Sequence, residues 1–536
     1  MFKTKSFHPS FWTKIIILLI LNMVVFSTII MITADNLQVQ YIPDDAYYYL
    51  TLARNFSSLD LWTFDSGISV TSGFHPLFAY LLSGGYSLLQ LNASNFVILG
   101  IILSLLFACA SVVTMLFWGF KHKNSLFLIF LALIISSQNF VYNTVSVTEW
   151  SLTVLISSIY YVWFFTKYEH EIIKTTDFLV LFVLGLLGSI ARADFGLFPF
   201  SIMAATLIIS LIIITTKRQV FFAFAGLSGT ITGVLLLLGH NYIFTNEFLQ
   251  SSAKMKAYWA QLSLPNYYAA PLLVGNIIGL AGLLLLAILI AIAVLPKFIN
   301  KQNGRSNPNN DTNQPHHKQN KAFDDDKKQS FFIMIIAAGV CILGYTLVYA
   351  RNGAIQPWYT GNLILPVLML IFGVSDYIIG SLHEKSKTLF SLLSLIAILF
   401  NISNIYPINE NDSPWPHQKI MLNVGNYLNK NTLNARVGAW NAGIIGYYEG
   451  GNIINLDGLV NNDIFSYAVD NRLPAYLESR DITYIVDFEN MITSQYRRIR
   501  GGYDDEEFLA TLKPHMVFDE GIYQWNYLTL YYIEIE

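Results

Sequence analysis

Long apolar runs set the pattern of this chain. Residues 15–34 pass twenty positions without a charge, 96–120 twenty-five and 329–350 twenty-two. A hydrocarbon core about 30 Å thick needs about 20 helical residues, so such runs predict membrane spans. Eleven are predicted, at 15–34, 96–120, 125–142, 150–166, 177–191, 195–216, 219–243, 270–296, 329–350, 360–380 and 388–407. The stretch 74–91 is shorter, opens on His75 and Pro76 and is broken by Gly84 and Gly85, so it is read as re-entrant or lying flat on the outer face.

Charge then orients the spans. With the N-terminus inside, the cytoplasmic segments carry eighteen lysines and arginines, and the outer loops between spans only Arg54, Arg192, Lys254, Lys256 and Arg351. That bias follows the positive-inside rule, and making 74–91 a full span would spoil it by moving Lys121 and Lys123 outside. Residues 297–328 are polar, rich in asparagine and without apolar periodicity, which predicts a disordered cytoplasmic loop. The pair His316 and His317 inside it is read as solvated, not metal-binding.

After Tyr406 the pattern changes again. ARVGAW, NIINLDG, ITYIVDF and YLTLYYIEI read as strands, separated by helical stretches such as HQKIMLNVGNYLNK and DDEEFLATLK. The alternation predicts a small α/β domain over 408–536, placed outside by the parity of the spans. Residues 1–407 form the helical membrane domain.

Composition agrees. Apolar residues make up 54% of the chain and charged ones 12%, about half the charge of an ordinary soluble protein. The first span is longer than a signal peptide's apolar core and lacks a small-x-small cleavage site, so it is read as a retained anchor. Cys109 and Cys341 both fall inside predicted spans and offer neither a disulfide framework nor a metal site. The net charge of −3 points to no partner, and nothing suggests nucleic acid.

Against this background the ionisable residues near spans stand out, because lipid cannot solvate them. Asp44 and Asp45, in PDDAYYY, follow the first span. Glu149 lies in NTVSVTEWSL, Arg192 and Asp194 in SIARADFGLF, Lys254 and Lys256 in QSSAKMKAYW, and Arg351 in YARNGAIQPWYTGN. Each has a plain structural alternative. The aspartates could only start a helix, Glu149 could sit in a wet turn, Arg192 and Asp194 could be an ion pair, and the other cations could touch lipid phosphates. Their convergence on one side favours chemistry on a lipid-linked phosphate. A carboxylate can take a proton from an acceptor hydroxyl, and cations can hold a departing phosphate.

DDAYYYLTLARNF, TSGFHPLF, VTEWSL, ARADFGL, QSSAKMKAYW and QPWYTGNLILP, in this order, resemble the integral-membrane GT-C glycosyltransferases. Within them the chain is most similar to the group of the lipid A aminoarabinose transferase and the protein O-mannosyltransferases. VGAWNAGIIGYYEGGNIINLDGLVN also resembles a segment of such bacterial proteins. The resemblance implies transfer of a sugar from a polyprenyl- or dolichyl-phosphate, with inversion, to a glycan, lipid or protein acceptor outside the inner membrane. It maps the acidic motif of the first loop onto Asp44 and Asp45, one of them the base, and the second acidic position onto Glu149. There the string reads Val-Thr-Glu-Trp, so that match rests on Glu149 alone. Lys254, Lys256 and Arg351 become donor-phosphate ligands, and His75, Arg192, Asp194, Trp358 and Tyr359 the sugar pocket. No cofactor and no metal are expected. A flippase would show internal repeats and charges at mid-membrane, and none is evident. A non-catalytic scaffold presenting the C-terminal domain is the other alternative.

Overall fold

The computed structural model describes residues 8–169, 173–212, 217–261, 265–268, 273, 275–277, 318–351, 356–381, 384–431, 435–493, 506–519 and 527–534. Its membrane domain is a bundle of α1 (Pro9–Ile32), α2 (Asp35–Gln38), α3 (Asp44–Leu59), α4 (Pro76–Leu89), α5 (Ala93–Lys121), α6 (Ser125–Ser136), α7 (Gln138–Asn143), α8 (Trp150–Tyr168), α9 (Thr175–Ala191), α10 (Leu197–Ile212), α11 (Lys217–Thr245), α12 (Ser251–Gln261), α13 (Lys318–Ala350), α14 (Gly361–Ser381) and α15 (Glu384–Ser403). Seven helical segments among the described residues are long and apolar enough to cross a membrane. The predicted span at 270–296 lies largely outside the described residues.

Burial explains the helices' order. On α1, Trp12, Ile16, Leu19, Met23, Phe26 and Ile30 face the bundle, while Ile17, Leu18, Leu21 and Val25 are exposed. An apolar face turned outward is what lipid accepts and water does not. By contrast α6 is buried all round, as expected of a helix with no polar face. Lipid tails give no hydrophobic drive for helix association, so polar pairs add specificity. Ser27 and Thr144 hydroxyls meet at 3.1 Å, and Asn401 donates to Ser136 Oγ at 3.1 Å.

Two expectations need correction. The run 125–142 is not one span: Ser137 turns extended and its hydroxyl caps Phe140 N at 3.2 Å, ending α6 and starting α7. Side-chain capping of this kind competes with helix continuation, and the apolar run hides it. Residues 318–328, expected in the disordered loop, are the opening turns of α13; residues 297–317 lie outside the described residues. The stretch 74–91 forms α4, opened by Pro76 at its first position, where proline loses no helical hydrogen bond.

The C-terminal region carries a five-stranded mixed sheet with β1 (Arg436–Ala439), β2 (Ile453–Asn455), β3 (Ile482–Phe488), β4 (Leu512–Phe518) and β5 (Leu528–Ile533), in the order β2-β1-β3-β5-β4. β1 runs parallel to β2 and β3, and β5 antiparallel to β3 and β4. Helices α16 (Gln418–Lys430) and α17 (Gly443–Glu449) lie between this sheet and the membrane bundle, and α17 packs on α3.

Candidate active site

The site begins with α3. Pro43 stands at its N-cap, and Asp44 and Asp45 occupy its first turn, where carboxylates favour the positive end of the helix dipole. Successive residues on a helix point about 100° apart, so the three tyrosines that follow fan out. Tyr47 packs edge-on against Tyr447 at 5.4 Å, and Tyr48 donates to Asp457 at 3.2 Å. Tyr49 turns the other way and donates to Glu149 at 2.8 Å.

Asp45, Tyr48 and Tyr49 line a cavity of about 330 Å³. The loop of Gly73, Phe74 and His75 forms its next wall, followed by Glu149 at the start of α8 and the turn at Arg192 to Asp194. Lys256 enters from α12, Tyr349 and Arg351 from the end of α13, and Trp358 and Tyr359 from the 3-10 turn before α14. Leu459 and Val460 of the C-terminal region close it.

Within the cavity the charges are paired in a chain. Arg192 binds Glu149 at 2.5 Å through one guanidinium nitrogen and Asp194 at 2.8 Å and 3.3 Å through the other two. Asp194 also accepts from the Tyr349 hydroxyl at 3.0 Å, and Asn362 donates to that hydroxyl at 3.2 Å. Tyr345 holds the Asp194 carbonyl at 2.9 Å. The Arg192 guanidinium lies over the Tyr359 ring at 4.7 Å, and Lys256 donates to the Tyr359 hydroxyl at 2.5 Å. Glu149 and Arg192 are 3% and 4% exposed, and a buried guanidinium is tolerable only with such bidentate carboxylate partners.

Electrostatics separate the groups further. Burial raises Asp45 above the usual carboxylate range, Lys256 opposing that shift and Glu149 adding to it. For Glu149, burial is outweighed by His75 and Arg192, which hold it below its ordinary value. Burial pushes the His75 imidazole down, against the opposing pull of the Glu149 carboxylate, 3.7 Å away. Lys256 is raised despite burial, because Tyr359 and Asp45 favour its charge. The cavity therefore presents one carboxylate of raised proton affinity, Asp45, beside fixed cations. Among the described residues no three His, Cys, Asp or Glu side chains gather as a metal site.

Of the eleven residues singled out by sequence, nine line this cavity: Asp45, His75, Glu149, Arg192, Asp194, Lys256, Arg351, Trp358 and Tyr359. Two do not. The Asp44 carboxylate accepts from Gly443 N at 3.2 Å and Ile444 N at 2.7 Å, capping the start of α17. A methyl added at Gly443 would lie 2.3 Å from the Asp44 carbonyl, so only glycine allows that approach. Lys254 points away to Glu247 at 2.5 Å and covers the Phe465 ring at 4.7 Å. Residues two apart on a helix face nearly opposite directions, so Lys256 and Lys254 cannot both reach the cavity.

Sequence reading overlooked Tyr49, Tyr345, Tyr349 and Asn362, as well as the wall built by Leu459 and Val460. One signal was available: Tyr49 stands four residues after Asp45, hence on the same helix face. The apolar Leu459 and Val460 carried none. Their loop is held firmly, since Ser251 Oγ donates to the Leu459 carbonyl at 2.9 Å and Asn462 Oδ1 accepts from Ser72 N at 2.9 Å.

Residues 408–528 match a family model described as a domain of unknown function, DUF8728. No curated protein matches the chain. Among solved structures, the crystal structure of ArnT from Cupriavidus metallidurans bound to undecaprenyl phosphate is similar at a TM-score of 0.53 and 11% identity, over 95% of this chain and 97% of that one. The apo form of that protein is similar at a TM-score of 0.51 and 10% identity, with the same coverage. The archaeal oligosaccharyltransferase AglB from Archaeoglobus fulgidus, in complex with an inhibitory peptide and a dolichol-phosphate, superposes less closely, at a TM-score of 0.46 and 11% identity over 97% of this chain and 74% of that one. At such identities the likeness lies in the backbone, and it covers 95% of this chain. The chain is a polytopic membrane protein with the GT-C fold.

Proposed function

We propose that this protein is a membrane glycosyltransferase that moves a sugar from a polyprenyl-phosphate donor to an acceptor hydroxyl on the extracytoplasmic side. The observation that carries the reading is the cavity itself: Asp45, with raised proton affinity, shares it with Lys256, Arg351 and the anchored Arg192. A likeness of fold to a protein crystallised with undecaprenyl phosphate supports the class of donor.

In the proposed step Asp45 takes the proton of the acceptor hydroxyl, and the acceptor oxygen forms a bond to the anomeric carbon. The bond from that carbon to the phosphate oxygen breaks on the opposite face, and its electron pair leaves with the lipid phosphate. This is one in-line displacement with inversion, analogous to an inverting glycosidase in which the acceptor replaces water. A base works best with a pKa near the working pH, so the upward shift of Asp45 suits the task. Lys256 and Arg351 stabilise the departing phosphate. Glu149 and Asp194 together anchor Arg192, whose guanidinium lies over the Tyr359 ring and orients it.

The test is purified protein in nanodiscs with a panel of undecaprenyl-phosphate-linked hexoses and aminopentoses and a cell-envelope extract as the source of acceptor, reading release of undecaprenyl phosphate. Release with one donor, abolished by Asp45→Asn at unchanged thermal stability, is the expected result. Undiminished release by that variant would remove the assignment of the base. Failure of undecaprenyl phosphate to bind at all would remove the donor class.

A further inference from the structure

A second cavity, of about 590 Å³, is built on different chemistry. Gln138, Asn139 and Tyr142 of α7 line one side, and Phe400, Asn401 and Asn404 at the end of α15 line another. Asn276 and the segment from Asp412 to Trp415 complete it. Among the described residues no lysine, arginine or histidine lines it, and Asp412 is its one carboxylate. The first cavity holds three cations; this one holds amides and aromatic rings.

Several of these amides retain free hydrogen-bonding capacity. Gln138 spends its NH2 on the Tyr142 hydroxyl at 2.9 Å, which leaves its oxygen open. Asn401 likewise spends its NH2 on Ser136. Asn404 is exposed, and its hydrogen bonds are made by its backbone N–H alone. An amide offers a donor and an acceptor without charge. Aromatic faces such as those of Trp415 and Phe400 give an apolar platform beside them. Together these match the alternating hydroxyls and C–H faces of a sugar ring. An anion would meet no cation here and one carboxylate against it.

We infer that this second cavity is a binding site for an uncharged glycan, either free or as the head of a glycolipid. It lies beside the first: Pro357 lines it, while the next two residues, Trp358 and Tyr359, line the cavity of the proposed reaction. Asn139 fastens this shared wall, donating to the Pro357 carbonyl at 3.4 Å and accepting from Thr360 Oγ1 at 2.9 Å. Thr360 in turn accepts from the Trp150 indole at 3.1 Å. A glycan longer than the first cavity admits has an adjoining seat of matching chemistry. The binding claim rests on the second cavity alone and stands apart from the transferase reading.

The experiment uses the full chain in phosphatidylcholine nanodiscs. Neutral oligosaccharides of glucose, mannose and galactose are added in solution, and hexosyl-diacylglycerol is incorporated in a parallel set of discs. Saturation-transfer NMR reads the free sugars, and native mass spectrometry reads the glycolipid. Binding by one or both sources is expected, weakened about tenfold, which is about 1.4 kcal/mol, by Asn404→Ala and by Trp415→Ala. Asn404 is exposed, so its variant keeps the fold if Trp415→Ala does not. Asp45→Asn should leave binding unchanged, which separates this site from the reaction. Absence of binding from every neutral glycan, binding indifferent to Asn404→Ala, or displacement by glucose 6-phosphate would each overturn the inference.

Discussion

Helix α3 faces two regions at once, the cavity and the seam with the C-terminal domain, and the two are stabilised differently. Toward the cavity, Asp45 and Tyr49 meet charged partners: Lys256, Glu149 and, through it, Arg192. Toward the seam, Asp44 and Tyr47 meet backbone N–H groups and aromatic rings, while Tyr48, between the two, lines the cavity and donates to Asp457 of the C-terminal region. Adjacent aspartates thus receive different environments from one turn of helix. A carboxyl that faces fixed cations across a cavity is suited to exchanging a proton; one that accepts from two peptide N–H groups is suited to holding a joint.

That difference is open to test, and the aspartates give the largest effect. Loss of a general base typically costs 10²- to 10⁴-fold, so Asp45→Asn should lower transfer by about that factor without lowering Tm. Asp44→Asn should retain most activity and lose stability instead. If the two variants behave alike, the division between cavity and seam is wrong. The lysines come next. Removing a charge-assisted contact is worth about 1.5–3 kcal/mol, so Lys256→Ala should raise the apparent Kd for undecaprenyl phosphate about 10- to 100-fold. Lys254→Ala, which breaks the pair with Glu247 and the contact with Phe465 outside the cavity, should change it less than about threefold, as a site that shares no partner with the donor does; equal effects would show that both lysines reach the donor.

The seam has its own signature. Gly443→Ala would force a methyl to 2.3 Å from the Asp44 carbonyl, and overpacking of this kind costs about 1–3 kcal/mol. A lowered Tm is expected, and an unchanged one would mean the two domains separate readily. pH supplies a second probe. Burial, opposed by the two N–H bonds, raises Asp44 from 3.8 to about 7. A raised folded-state pKa means the native form binds the extra proton, so its contribution is full below pH 3.8 and is lost as pH rises through about 7. Tm should fall across that window in the wild type and fall less in Asp44→Asn. A Tm rising with pH in the wild type alone would reverse the sign.

Much of this division was hidden in the sequence for geometric reasons. Apolar runs and the lysine and arginine count located most helices and brought the right loops together, because both depend on composition near the chain. The choice between Asp44 and Asp45 depends on a helix some 400 positions later docking at Gly443, and no local pattern records it. Lys254 against Lys256 is the same problem, two residues on opposite helix faces with identical chemistry. The break at Ser137 was masked by apolar residues on either side, since a serine in such a run is as compatible with a helix interior as with a cap. Leu459 and Val460 could not be found by looking for chemistry, because a wall needs shape and not charge.

The smallest expected effect is the most discriminating about Tyr49, which belongs to the cavity side but does its bonding inside the protein. Its hydroxyl donates to Glu149 and accepts from His75 N at 3.2 Å. Tyr49→Phe removes both bonds, yet Glu149 keeps Arg192 on its other oxygen, so the carboxylate stays charged and placed. A typical intramolecular hydrogen bond contributes about 0.5–1.5 kcal/mol net, which sets the expected loss in Tm and less than about a tenfold loss in kcat. The kcat should fall with KM for the donor nearly unchanged, because the hydroxyl positions Glu149 and His75 and touches no phosphate. A hundredfold loss in kcat at wild-type Tm would contradict this, showing that Tyr49 acts on the reacting atoms themselves and that the catalytic face of α3 extends one turn beyond Asp45.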